Sequence, residues 1–271
     1  MQISIYQIYY DNVSLQKLLP GFIPLDNTRS ENPDWFEFWP ILQFLRKNTL
    51  KEGSWYGFLS PKFYEKTGFN SEFVINLLNR YGEAANVALF SFGWDQLAYF
   101  LNPWEQGEVW HPGVLSSSQN YINNAGFKTD LKTLVTDTTT SVFSNYIIAK
   151  RDFWLEWRNM AESFYNYCEK NPLDSIKTSY GNVDNQYPMK AFMQERLATL
   201  ILATGKYIVL SPDQSFNGPI FTGLFSSDIT NRRLLQTCDL MKRKFREKSD
   251  EKYLEMYWKI RRDISFSNHA V

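Results

Sequence analysis

The segment 102–113 reads NPWEQGEVWHPG and gathers Trp104, Glu105, Gln106, Glu108, Trp110 and His111, the last being one of only two histidines in the chain. Three chemistries suit these residue types. Glu108 and His111, spaced as E-x-x-H with Glu105 three positions earlier, carry oxygen and nitrogen donors of the kind that hold a divalent metal. Gly107 and Pro112 work against the rigid helix that would aim both at one point. Trp104 and Trp110 offer ring faces to the C–H side of a sugar, while Glu105, Gln106, Glu108 and His111 can bond its hydroxyls. A carboxylate beside a bound hydroxyl can also act as general base. The third reading is a loop anchored by its own aromatics.

Three further stretches place charge where a ligand could meet it. In YGFLSPKFYEKTG (56–68) a strand delivers Ser60, Pro61 and Lys62 to its carboxyl end, where open α/β sheets bind ligands, and Lys62 and Lys66 suit phosphate. A solvated charged turn is the plainer alternative. SFGWDQ (91–96) ends another strand with Asp95 and Gln96, able to position a hydroxyl or a metal. An acid at a helix N-terminus is the other explanation. In FMQERLATL (192–200), Glu195 and Arg196 interrupt an apolar helix; a buried ion is expensive unless paired, so one of them faces a cleft, or the two mark an amphipathic boundary.

Several motifs do not occur: no G-x-G-x-x-G, no P-loop, no G-x-S-x-G and no D-x-D, whose nearest analogue is Asn182-Val183-Asp184. His269 lies near the C-terminal end, so a histidine triad would have to use His111.

The elements that must position these residues alternate. β-branched and aromatic runs at 3–10, 21–28, 54–60, 86–92 and 206–212 predict strands. Helical spacing marks 34–47, with Pro40 as a kink or restart, and 71–81, with Ser71 as N-cap. Residues 142–170 predict a short strand running into a helix with Phe153, Trp157, Met160 and Phe164 on one face. An amphipathic helix over 189–205 ends at Gly205. Residues 116–140 and 175–188 read as polar connections. Strand–helix alternation predicts an α/β fold, a central mixed sheet flanked by helices.

At 271 residues the chain suits one large domain or one with an appendage. Nine Trp, sixteen Tyr and twenty-one Phe exceed ordinary core needs, which favours a site for a ring-shaped polar ligand or simply an aromatic-rich core. Zero formal net charge gives no field for nucleic acid, so no nucleic-acid partner is expected. Cys168 and Cys238 make neither a disulfide framework nor a zinc set. That, with a start lacking a signal peptide and with apolar stretches too short to span a bilayer, predicts a cytoplasmic location. Two helices are expected over 228–263, breaking near Lys248–Asp250. Leu234, Cys238, Met241 and Phe245 share a face there, and eleven Lys/Arg between Arg232 and Arg262 outnumber five Asp/Glu. A basic amphipathic pair of this kind can make peripheral contact with anionic lipid at the inner membrane face, or pack on its own domain or on a partner chain.

The order of the N-terminal strand, WYGFLSPKFYEKTG, VFSNYIIAKRDFWLEW and AFMQERLATLIL resembles bacterial glycosyltransferases of the GT-A type that assemble capsule, lipopolysaccharide or O-antigen. The resemblance implies a GT-A-like (Rossmann-like) domain over residues 1–212, with a C-terminal helical appendage at 225–265. It implies a nucleotide-diphosphate sugar as donor, bound over the first strand, and a glycan or lipid-linked acceptor. Gln7, Tyr9 and Asp26 would lie near the nucleotide; Asp95, Glu105, Glu108 and His111 near the sugars; Asn145, Glu195 and Arg196 would shape the site. The base on the acceptor hydroxyl would be Glu105 or Glu108, with Asp95 next. The diphosphate would meet Lys62, Lys66 or Arg151, or a divalent metal (manganese or magnesium). The family's D-x-D has no match, which leaves metal dependence open and keeps a second class in play, a non-catalytic glycan-binding or assembly protein that retains the fold.

Overall fold

The computed structural model describes residues 2–171, 177–180 and 182–267, so His269 lies outside the described residues. Among the described residues the strands are β1 (Ile3–Tyr9), β2 (Ile23–Asp26), β3 (Trp55–Leu59), β4 (Val87–Leu89), β5 (Ile147–Lys150), β6 (Lys177–Tyr180), β7 (Asn182–Pro188) and β8 (Val209–Leu210). Six of them form one mixed sheet in the order β2-β1-β3-β5-β4-β8, and β6 and β7 form an antiparallel hairpin. Within the large sheet β5 alone runs against its neighbours β3 and β4.

Strand periodicity divides the apolar side chains between two faces. Ile8, Tyr56, Phe58, Val87, Leu89, Ile147 and Ala149 point to one core, closed by α2 (Phe38–Lys47), α8 (Arg151–Lys170), α9 (Met189–Gln194) and α10 (Leu197–Ala203). Ile5, Trp55, Leu59, Ala88, Phe90 and Ile148 point to the other, closed by Phe63 of α3 (Phe63–Thr67) and by Val74 and Leu78 of α4 (Ser71–Tyr81). Phe153, Trp157, Met160 and Phe164 of α8 are buried together, as their spacing predicts.

Several local expectations change. Pro40 sits in the first turn of α2, where an amide donor is not needed; it does not kink the helix, and the helix expected over 34–47 starts afresh at Phe38 after a 3-10 turn at Pro33–Trp35. The cap of α4 is Asn70, whose side chain accepts from Phe73 N at 2.8 Å; the Ser71 hydroxyl is drawn off to Pro20 O. The connection at 116–140 begins in α7 (Val114–Asn124), which buries Tyr121 and Ile122. The polar run at 175–188 includes the β6–β7 hairpin. The helix expected over 189–205 is two, parted at Glu195 and Arg196.

The C-terminal helices α11 (Ile229–Lys248) and α12 (Glu251–Arg262) share a third apolar cluster with α5 (Trp94–Tyr99). The side chains of Leu235, Cys238 and Met241 are buried there, with Leu234 and Phe245 at the margin. Their basic excess largely turns inward. Lys242 donates to Leu97 O and Phe100 O at 2.5 Å each, satisfying carbonyls at the C-terminal end of α5. Arg246 meets Asp137 at 2.5 Å, Arg243 meets Asp239 at 2.8 Å, and Arg261 meets Glu105 at 2.7 Å. Arg232 donates to Ser215 O and Gly218 O. The other six cations, Arg233, Lys244, Lys248, Lys252, Lys259 and Arg262, are offset by Glu247, Asp250, Glu251 and Glu255. No helix among the described residues is long and apolar enough to cross a membrane.

Gly57 lies opposite Ile148 where β3 pairs with β5, and a Cβ there would stand 2.7 Å from Ile148 Cγ1. Gly57→Ala should cost about 1–3 kcal/mol through overpacking. Equilibrium urea unfolding measures it, and an unchanged midpoint would contradict so close an approach.

Candidate functional site

Parallel strands bring their carboxyl ends to one edge of the sheet, and there β1, β2 and β3 hand over to Tyr10, to Asn27–Ser30 and to Ser60. Because β5 runs the other way, its entrance, Ser144–Tyr146, lies at the same edge. Lys62 and Lys66 follow from the turn into α3, and Glu195 enters from the break between α9 and α10. Together these enclose a cavity of about 600 Å³, with Phe36, Glu37 and Tyr187 completing its wall.

The wall is held from behind. Gln7 is fully buried; its amide donates to Ser60 O at 3.1 Å and accepts from Leu19 N at 2.7 Å. Ser60 Oγ and Tyr146 Oη are 3.0 Å apart. Asn145 donates to Gln194 Oε1 at 2.8 Å. Besides the Tyr10 hydroxyl, which lies toward Glu37, three buried polar atoms of the lining residues make no hydrogen bond within the protein: Ser30 Oγ, Ser144 Oγ and Asn145 Oδ1. Buried polar atoms are normally paired, so this concentration around one cavity marks it as a site for a polar ligand.

The cavity lining carries both signs of charge. Arg29, Lys62 and Lys66 are the cations of its lining, Glu37 and Glu195 the carboxylates. Burial pushes the Glu195 carboxyl up to about 7; Arg196 and Lys66 pull it down and Glu37 adds to the rise. Its side chain keeps 31% exposure, toward the cavity it lines. Tyr10 is raised well above its ordinary value by burial, with Glu37, Tyr146 and Glu195 adding to it.

Of the residues singled out from sequence, Lys62, Lys66, Asn145 and Glu195 come together on this cavity. Asp26 lines an adjoining trough of about 460 Å³ that shares Asn27, Arg29 and Ser30 with it. Tyr9 lies beside Asp26, close enough for its hydroxyl to bond the carboxylate. Gln7 supports the wall from below.

The segment 102–113 does not join them. It forms α6 (Pro103–Trp110), and its polar groups are occupied. Glu105 accepts from Leu101 N at 2.6 Å besides its pair with Arg261. Glu108 accepts from Gly113 N at 3.0 Å and Leu115 N at 2.6 Å, closing the entry to α7. Trp104 is sealed in the core, and Trp110 leans edge-on to Phe221. His111 is buried and stacks on Phe192 with centroids 3.5 Å apart. Asp95 is fully buried and accepts from Phe221 N at 2.6 Å, while Gln96 accepts from Gln106 Nε2 at 2.9 Å. None of Glu105, Glu108, Asp95, Gln96, Trp104, Trp110 or His111 lines the cavity or its trough. The third reading of that segment, a stretch anchored by its own aromatics, describes what it does.

Arg196 stands behind the cavity. It donates to Pro103 O at 2.8 Å, Phe192 O at 2.6 Å and Gln106 Oε1 at 3.0 Å. Arg151, on the opposite end of β5, pairs with Asp152 and Glu52 and is remote from the cavity lining. Sequence reasoning missed Tyr10, Arg29, Ser30, Glu37, Ser144 and Tyr187. Arg29 and Ser30 follow the turn after β2, and a search of every strand exit would have found them.

No group of three or more His, Cys, Asp and Glu among the described residues could hold a metal ion. The cavity sets its two carboxylates among three cations, so these residues do not fit a manganese or magnesium site made by the protein alone.

No protein-family model matches this chain, and no curated protein matches it. A solved chain described as the apo structure of the bifunctional glycosyltransferase WbbM is similar at 15% identity and a TM-score of 0.48, covering 82% of this chain. The match spans 48% of that protein, about half its length. At that level of likeness the site has to be read from its own geometry.

His111 supplies a prediction. Burial, with the Arg196 charge beside it, lowers its pKa to about 3 from 6.5. The unfolded chain therefore takes up a proton below pH 6.5 that the folded chain refuses, and stability falls as the pH drops from 6.5 toward 3. His111→Phe should flatten that slope by up to about 1.4 kcal/mol per pH unit. Urea midpoints between pH 4 and 7 measure it; identical slopes in the two proteins would refute it.

Proposed function

We propose that this chain is a glycosyltransferase that moves a sugar from a nucleotide-diphosphate donor to a hydroxyl of a glycan or lipid-linked acceptor in polysaccharide synthesis. The observation that carries this reading is the cavity at the strand ends, which gathers three cations with a carboxylate raised by burial and lines them with unpaired polar atoms. The sequence resemblance to GT-A enzymes supports it.

In this reading Arg29, Lys62 and Lys66 face the diphosphate, whose charge grows as the sugar leaves. Ser30, Ser144 and Asn145 bond ligand oxygens. Asp26 and Tyr9 border the trough that would take the nucleotide. Glu195 replaces Glu105, Glu108 and Asp95 as candidate base. It takes the acceptor's proton as the acceptor oxygen bonds to the anomeric carbon. The bond from that carbon to the diphosphate oxygen breaks, and its electron pair leaves with the nucleotide. A carboxyl titrating near neutrality is matched to this exchange. No step here passes through a metal.

Nucleotides and nucleotide sugars of UDP, GDP and CMP type, at millimolar concentration with and without manganese, should raise the melting temperature. A panel without effect would end the reading. Lys62→Ala and Lys66→Ala should weaken donor binding. Glu195→Gln should bind donor yet lower kcat by about 100- to 10,000-fold. The base must be ionised, so kcat/KM should rise with pH through about 7, and the variant should lose that limb. The raised carboxyl favours the folded state below its unfolded pKa near 4.5, an advantage lost as pH rises through 7. Glu195→Gln should therefore be stabilised relative to the parent at pH 8 and not at pH 4. Donor binding without transfer, equal in parent and variant, would leave a nucleotide-sugar-binding protein.

A further inference from the structure

Arg196 is 2% exposed, and among the described residues no carboxylate hydrogen-bonds it. Its ion-pair partner is Glu195, at 4.0 Å from Nη1. Its guanidinium is held by two main-chain carbonyls and one side-chain amide, Pro103 O, Phe192 O and Gln106 Oε1. Gln106 is fixed in turn by Gln96, the two amides meeting at 2.9 Å. The site is tight: a Cβ on Gly107 would stand 2.8 Å from Arg196 Nη2. These partners come from α5, α6 and α9, three elements that do not line the cavity.

So costly a cation calls for a use beyond packing, since an apolar side chain would fill the same space without desolvation. Its position supplies one. Arg196 opens α10 while Glu195 ends the break, so one backbone step separates a clamped cation from the carboxylate that enters the cavity. Resting on the glycosyltransferase reading, we infer that Arg196 is the positioning residue of Glu195: its clamped guanidinium sets a fixed positive charge 4.0 Å behind the carboxylate that faces the cavity.

Charged and titratable groups reach this pair from every side. Lys66 of α3 acts with Arg196 in favouring the ionised carboxylate, and Glu37 at the start of α2 opposes both. Tyr10 beyond β1 and Tyr146 at the entrance of β5 sense the same carboxylate. Glu108 of α6 adds to the field at Arg196, while His111 is held neutral beside it. Burial lowers Arg196 only to about 10, so it stays charged at neutral pH. Lys66 reaches the carboxylate from the cavity side, where a bound diphosphate would compete for it. Arg196 stands 4.0 Å from it on the other side, held by hydrogen bonds to groups outside the cavity lining.

The test titrates Glu195 directly, without substrate. Carboxyl NMR of selectively labelled protein, with Glu195→Gln to assign the signal, gives its midpoint in the parent, in Arg196→Met and in Arg196→Lys. An opposite charge at this distance is worth about one to three pH units. Arg196→Met should raise the midpoint by that amount, and Arg196→Lys should restore most of it. In turnover, the acid limb of kcat/KM should move with the NMR midpoint while donor affinity stays within about twofold. Should Arg196→Met fail to fold, Gln106→Leu removes one arm of the clamp and leaves both charges, and a smaller upward movement is expected. An unmoved midpoint in the folded variants would overturn the inference while leaving the transferase reading intact. A moved midpoint in a protein that binds no nucleotide sugar would uphold the electrostatic link and defeat the transferase reading instead.

Discussion

A guanidinium cannot be left unsatisfied inside a protein, and much of the helix layer beside the cavity is arranged around the one at Arg196. Meeting its donors uses the carbonyl of Pro103, the carbonyl of Phe192 and the amide of Gln106. These contacts fix α6 against the break between α9 and α10. The break in turn lets Glu195 leave the apolar stripe and enter the cavity. A continuous helix over these residues would lack that turn in the chain. The amphipathic pattern and the polar interruption therefore act on different levels: the first packs the segment on the sheet, the second sets which residue faces the ligand.

The sheet contributes through one reversed strand. Were β5 parallel to its neighbours, its entrance would lie at the far edge, and Ser144, Asn145 and Tyr146 would leave the cavity. Reversal puts the start of β5 among the exits of β1 and β3. Gly57 faces Ile148 in that pairing, and a Cβ there would stand 2.7 Å from Ile148 Cγ1. Strand direction thus decides which polar atoms meet.

The same logic of inward charge governs the C-terminal helices. Lys242, Arg243, Arg246 and Arg261 look in sequence like a basic surface, yet each is bonded to a carbonyl or a carboxylate of the protein. They attach α11 and α12 to α5 and to the segment around Asp137. Charge counted along a chain does not distinguish a cation that reaches solvent from one that satisfies a helix end. The same holds for Glu105 and Glu108, whose acidity serves Arg261 and the amides of α7.

Elements and their order were legible from residue spacing: the strands at 3–10, 54–60 and 86–92, the strand–helix unit at 142–170, and the lysines following a strand end. These depend on local periodicity and on the backbone preferences of Gly, Pro and β-branched residues, which act within a few positions. What the tertiary structure alone decided was the membership of the site. In sequence Glu105, Glu108 and Asp95 stand ahead of Glu195 as acids for the chemistry, and nothing local marks Arg29, Glu37 or Tyr10. Their meeting depends on contacts between residues far apart in sequence, on the direction of β5 and on which polar groups remain unpaired after folding. Those are properties of three-dimensional packing and desolvation, and no window of sequence contains them.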